Sequence, residues 1–183
     1  TAALARVAHA RARADVGADA RARMRPSETA LDAHVAEGRR IYGVTTGYGP
    51  LAGYRVAPED SAQLQRGLID HLASGVGPPL PREAVRAMMA VRVSSLARGW
   101  SGVRAGVADQ LTAMLNADVV PEVPESGTVG ASGDLTPLAH TALAAIGEGR
   151  VLGGANAADA LAAAGLKPLT MMRKDGLALV NGT

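Results

Sequence analysis

From Pro58 onward, apolar residues recur at helical spacing in bursts punctuated by glycine and proline. Pro58, Glu59 and Asp60 set a first-turn proline and two acids ahead of Leu64, Leu68 and Leu72, which repeat at i, i+4 and i+8. Gly75 and Gly77 close that helix. Pro81 opens the next, with Val85, Met88, Met89, Arg92 and Leu96 as its periodic face. A third is predicted from about Val103 to Leu115, turning Val107, Leu111 and Met114 inward. Thr136 and Pro137 read as an N-cap and first-turn pair for a helix reaching about Ile146, ended by Gly147 and Gly149. A shorter helix is predicted from Asn156 to Gly165, and "RKDGLALVN" starts another. Upstream, "PSETALDAHVAEGRRIYG" reads as one helix or two short ones, capped by Ser27 or Thr29.

Between these helices lie two unusual loops. "YGVTTGYGPLAGY", residues 42–54, holds four Gly, one Pro, two Thr and three Tyr. "NADVVPEVPESGTVGASGD" carries two Pro and three Gly, a density that predicts no regular element. "RVLGGA" reads as half of a small hairpin. With no internal repeat and no βαβ alternation, the fold class is mainly α.

Composition narrows the chemistry. The 183 residues suffice for one domain or part of a larger one, and both ends read as cuts. Hydrophobic residues make up 48% of the chain, yet Phe is absent and Trp occurs once, so the core is aliphatic. The net charge is +2. The arginines are scattered and lack interleaved aromatics, which argues against a nucleic-acid partner. Without cysteine there is no disulfide, thiolate nucleophile or Cys-held metal, and the four His show no metal-like pairing. No apolar run approaches the roughly 20 residues of a membrane span. The Arg-rich, Ala-rich N-terminal stretch is interrupted by Asp15 and Asp19 and reads as a solvated or frayed helical segment.

"VGASGDLTPLAH", residues 129–140, raises a chemical question. Gly130-Ala131-Ser132-Gly133-Asp134 is not the G-x-S-x-G of a hydrolase elbow, and Gly127, Gly130 and Gly133 do not give the dinucleotide fingerprint. One reading is an ordinary tight loop before a helix. Another makes the backbone itself the reagent. In a tight enough bend, the Gly133 amide nitrogen reaches the Ala131 carbonyl carbon, because glycine has no Cβ and alanine little bulk. Ring closure loses one water, and loss of the Ser132 hydroxyl removes a second and leaves an exocyclic methylene. The helix start just beyond would favour negative charge on such a ring.

The surrounding sequence resembles the aromatic amino acid ammonia-lyases and aminomutases. The likeness runs through "YGVTTGYGPLA", "LQRGLIDHLASGVGPPLP", "SSLARGWSGVR", "GTVGASGDLTPLAHTALAAIGEG" and "KDGLALVNGT", nearly everything from Ile41 to Thr183. It implies that Ala131, Ser132 and Gly133 form a 4-methylidene-imidazol-5-one (MIO) group, with no external cofactor and no metal. It further implies that Tyr42 is the catalytic tyrosine, that Asn181 lies against the MIO and the substrate, and that Gly49 and Leu135 line the pocket. His71 and Leu72 match the pair that meets the substrate ring: histidine-lyases tend to carry Ser-His there, phenylalanine-lyases Phe-Leu, and His-Leu resembles the tyrosine-selective form. A buried imidazole that hydrogen-bonds a phenol discriminates against substrates lacking it.

The activity so implied is elimination of ammonia from L-tyrosine to give trans-p-coumarate, in a cytoplasmic homotetramer with shared active sites and no membrane association. Alternatives are a tyrosine 2,3-aminomutase, a histidine or phenylalanine ammonia-lyase, and an inactive helical fragment. Residues 1–183 would be the N-terminal, MIO-bearing part, without the family's central helical bundle and C-terminal part. Tyr48 stands where the family commonly shows Phe.

Overall fold

In the computed structural model, which describes residues 1–130 and 132–182, the chain is mainly helical, as predicted. Eight α-helices lie among those residues: α1 (Ala2–Ala8), α2 (Ala18–Ala36), α3 (Ser61–Leu72), α4 (Arg82–Leu96), α5 (Ala105–Asn116), α6 (Leu135–Ala145), α7 (Ala157–Ala163) and α8 (Asp175–Val180). The aliphatic core gathers Val85, Met89 and Leu96 of α4, Val107, Leu111 and Met114 of α5, and Ala139, Ala142 and Ala145 of α6. Around one end of it α3, α6 and α8 pack on one another. None of the described helices is long and apolar enough to cross a membrane.

Most predicted elements appear, with instructive departures. The fully buried line of α3 is Ser61, Gln65 and Ile69, not Leu64, Leu68 and Leu72, which are only half-buried beside it. The polar Gln65 can lie at the centre because its amide finds partners there, described below. On α4, Val85, Met89, Arg92 and Leu96 are buried as predicted, while Met88 is half-buried and Arg86 joins the interior.

The N-terminal segment is docked rather than solvated. α1 lies on α4, and Ala8, Val16 and Met24 are buried. Arg86 holds α1 by donating to the Val7 and Ala8 carbonyls. Helix α2 begins well before the predicted caps and carries Pro26 inside it. Its Arg- and Ala-rich first half has the propensity to continue through a residue that lacks an N–H donor. Ser27 does not cap; its hydroxyl donates back to the Met24 carbonyl at 3.0 Å.

The proline-rich loops do form one regular element. β1 (Val76–Pro79) pairs antiparallel with β2 (Pro124–Ser126), Val76 facing Ser126 and Pro79 facing Pro124. A two-strand ladder is all edge, so prolines are tolerated in it. "RVLGGA" contributes isolated bridges, Arg150 to Asn156 and Val151 to Pro121. Helix α6 starts at Leu135, with Asp134 before it, so Thr136 is not the N-cap. Thr136 is instead buried in the first turn, and its hydroxyl donates to the Gly127 carbonyl at 3.2 Å, tying helix to loop.

Candidate active site

The Tyr42 loop is fixed by its own hydroxyls. Thr45 Oγ1 accepts from the Ile41 amide at 2.8 Å and donates to the Arg39 carbonyl at 2.7 Å. The two threonines are buried, which leaves Tyr42 and Tyr54 among the loop's outward groups. Gly43 has a φ of +66°, and a Cβ there would run into the Tyr48 ring. Tyr48 lies against that glycine, and its ring meets the Tyr42 ring edge-on at 6.0 Å. The Tyr42 hydroxyl accepts from the Gly49 amide at 2.9 Å, and the residue is 52% exposed, so its phenol is reachable. Tyr48 differs: burial pushes its hydroxyl well above the ordinary value, so it stays protonated, although its bond from Gln65 works the other way.

Two glycine contacts bring three distant segments together. A Cβ on Gly127, whose φ is +135°, would stand 2.9 Å from the Gly75 Cα. A Cβ on Gly133, whose φ is +79°, would stand 2.7 Å from the Gly182 Cα. Gly127 is therefore set against the turn that follows His71-Leu72, and Gly133 against the turn that follows Asn181. The Gly182 amide donates to the Ser132 carbonyl at 2.9 Å. On the other side, the Gly75 amide donates to His140 Nε2 at 3.2 Å, and burial lowers the imidazole's affinity for a second proton.

Tyr42 and Asn181 line one cleft of about 470 Å³ together with Arg92, Arg98 and Lys174. Its lining, as far as the described residues go, contains no carboxylate. Burial lowers Arg92 to about 10 and also lowers Lys174, yet a guanidinium at that value is still charged at neutral pH. The cleft therefore carries positive charge.

The remaining expected residues sit as follows. Ser132 and Gly133 are half-buried against Gly182. Ala131 lies outside the described residues. His71 is exposed in the last turn of α3, and Leu72 and Leu135 are half-buried, packed on the core. These three are not among the residues lining the Tyr42–Asn181 cleft. Gly49 meets the Tyr42 hydroxyl through its amide. Sequence reasoning passed over Gln65, Arg98 and Lys174 in this neighbourhood. For Gln65 the signal was present, since it stands four residues before the wholly buried Ile69 on one helical line.

The mainly α-helical fold, with its tyrosine loop, glycine-held Ser-Gly turn and Asn181 at the end of α8, points to a class of lyases. The chain matches the aromatic amino acid lyase family over residues 1–183 and belongs to it. It is 44% identical to a histidine ammonia-lyase of Streptococcus gordonii over 97% of its own length and 35% of that protein's. It is 49% identical to a histidine ammonia-lyase of an Enterobacter species, over 86% of this chain and 32% of the relative. Among solved structures, tyrosine aminomutase of Streptomyces globisporus superposes with a TM-score of 0.94 at 39% identity, covering 100% of this chain and 35% of that one. Histidine ammonia-lyase of Trypanosoma cruzi superposes at 0.89 with 35% identity, over 100% of this chain and 35% of that one. The chain thus spans about a third of the length of the curated relatives it matches.

Proposed function

We propose that this chain is the MIO-bearing, N-terminal part of an enzyme that eliminates ammonia from L-tyrosine to give trans-p-coumarate. The observation that carries the reading is the Ser132-Gly133 turn laid across Gly182, directly after Asn181, with Tyr42 lining the same cleft as Asn181. The turn fits a backbone ring made from Ala131, Ser132 and Gly133. Gly133 holds a left-handed φ, and the space where a side chain would stand is taken by Gly182. Such a ring supplies an electrophilic methylene, which turns the amino group into a better leaving group. The Gly182 amide, donating to the Ser132 carbonyl, draws electron density toward the oxygen conjugated with that methylene. Tyr42, exposed to the cleft, takes the β-proton, and Asn181 orients the substrate. Arg92, Arg98 and Lys174 draw an amino-acid carboxylate toward the cleft. The family resemblance assigns His71 and Leu72 to the substrate ring, with the imidazole bonded to the phenol, although in this chain His71 is exposed and neither residue lines the cleft. The whole protein works as a homotetramer with shared active sites.

A second reading has a specific basis. The relatives from Streptococcus gordonii and Enterobacter are named histidine ammonia-lyases, which supports L-histidine as the substrate. The test is turnover of the full-length protein with L-tyrosine, L-histidine and L-phenylalanine. Coumarate from tyrosine is the expected product; preference for histidine would replace the first reading with the second, and β-tyrosine would make the enzyme an aminomutase. His71→Phe should move the Tyr/Phe ratio toward phenylalanine by about tenfold or more, the scale of one lost specific hydrogen bond. Intact mass should show loss of two waters, and Ser132→Ala, which lacks the hydroxyl that leaves as the second water, should form no methylene and lose turnover.

A further inference from the structure

Gln65 is wholly buried, and its side chain, on α3, is hydrogen-bonded to both the Tyr42 loop and α8. Its Nε2 donates to the Gly43 carbonyl at 2.7 Å and to the Tyr48 hydroxyl at 2.9 Å. Its Oε1 accepts from the Leu177 amide at 2.8 Å. The amide can sit only this way round: reversed, it would set oxygen against the Gly43 carbonyl and N–H against the Leu177 N–H. Leu177 belongs to the first turn of α8, where amides lack helical partners, and the side chain of the N-cap residue, Lys174, makes no capping bond. Gln65 therefore caps α8 from another helix. Packing repeats the pattern. A Cβ on Gly176 would stand 2.6 Å from the Gln65 carbonyl oxygen, and one on Gly43 would stand 2.9 Å from Leu177 Cδ2.

Each arm of this amide ends beside a candidate site residue. Gly43 directly follows Tyr42, Tyr48 packs edge-on against the Tyr42 ring, and Leu177 lies one helical turn before Asn181. We propose that Gln65 is a positioning residue that holds Tyr42 in place by tying its loop to the first turn of α8, the helix that leads to Asn181, with the Tyr48 hydroxyl as its third anchor. It touches no reacting atom; it acts through Tyr42. The proposal rests on the reading of Tyr42 as the residue that takes the β-proton.

The test uses the full-length enzyme and a double-mutant cycle. Gln65→Glu keeps the shape but replaces the donor facing the Gly43 carbonyl with an acceptor. It should lower kcat by about 30-fold, within the hundredfold scale of a misplacement near 1 Å, while KM shifts less than about threefold. In a Tyr42→Phe background the same substitution should cost less than about twofold, because the group it positions is gone. Equal losses in both backgrounds would overturn the proposal, since a merely structural residue gives that result. Tyr48→Phe removes one anchor only and should fold even where Gln65→Glu does not. Its expected cost is about threefold in kcat, at the lower end of a single hydrogen bond, and it should vanish with Tyr42→Phe. Hydrogen exchange gives a readout apart from activity. Gln65→Leu should speed exchange in residues 43–49 and 177–182 together; a response in one segment alone, or in neither, would refute the clamp. A wild-type protein inactive on every aromatic amino acid would remove the lyase reading, and the exchange result would still decide whether Gln65 joins the two segments.

Discussion

Arg86 and Arg92 stand six residues apart on α4, both buried, and they are treated in opposite ways. Each of the three side-chain nitrogens of Arg86 has a partner: it donates to the Val7, Ala8 and Leu115 carbonyls and to the Asp118 carboxylate. Arg92 donates to the Ala178 carbonyl, its Nε has no partner, and no carboxylate pairs with it among the described residues. Arg86 serves the helix-built half of the molecule, where α1, α4 and α5 meet. Arg92 lines the cleft of the loop-built half, beside Tyr42 and Asn181. A cation whose nitrogens all have partners is structural; one left partly unsatisfied at the wall of a cleft keeps capacity for something that enters it.

The contrast is sharpest in stability. Arg86→Met takes the side-chain donors away from the Val7, Ala8 and Leu115 carbonyls, of which Val7 and Leu115 keep a backbone donor, and leaves Asp118 without its buried partner; it should cost about 3 kcal/mol, read as a fall in the thermal or denaturant midpoint, with the rate per folded molecule unchanged. A small stability change would erase the distinction between the halves. On the loop side, Gly133→Ala combines a left-handed φ with a clash against Gly182 and should cost about 2 kcal/mol locally. It should also block loss of the two waters in intact mass. Gly130→Ala, at φ +68° but in open space, is the control and should keep the mature mass.

Arg92→Met should change stability by less than about 1 kcal/mol, because a poorly paired buried charge contributes little. It should lower kcat/KM about tenfold, the worth of one charge-assisted hydrogen bond. Loss of folding without loss of specific rate would make Arg92 a second Arg86. The smallest effect concerns His140. Burial lowers its pKa in the folded state below the ordinary 6.5, so its contribution is full above that value and drains away as pH falls through the folded value. Protonation also removes the acceptor that holds the Gly75 amide. Stability measured across that acid window should fall less steeply in His140→Gln.

The helix-built half was largely legible. Val107, Leu111 and Met114, and likewise Val85, Met89 and Leu96, are buried where the 3.6-residue period puts them. Tyr42, Asn181 and the Ser132-Gly133 turn were singled out from motifs, although nothing local in the sequence states that Gly133 will meet Gly182. That contact depends on tertiary packing between segments far apart in the chain. Gln65 was missed because the leucines beside it drew the apolar stripe to the wrong edge of α3. Thr136 was misread because its hydroxyl finds the Gly127 carbonyl, a partner from outside its own helix. The cap expected at Ser27 or Thr29 is absent because α2 starts at Ala18 and runs through Pro26.

The paired glycines carry a consequence for redesign. Gly75 follows the His71-Leu72 pair, and Gly127 opens the loop that leads to Ser132; a side chain on Gly127 would displace the Gly75 backbone, and one on Gly75 would press on His140 and Pro124 beside that loop. The residues that would choose the substrate and the residues that would build the electrophile are thus mechanically geared. Transplanting a new specificity helix from a relative into this chain should succeed only when the 127–133 loop travels with it, and libraries that vary the two as a single cassette should yield more folded, mature protein than libraries that vary either alone.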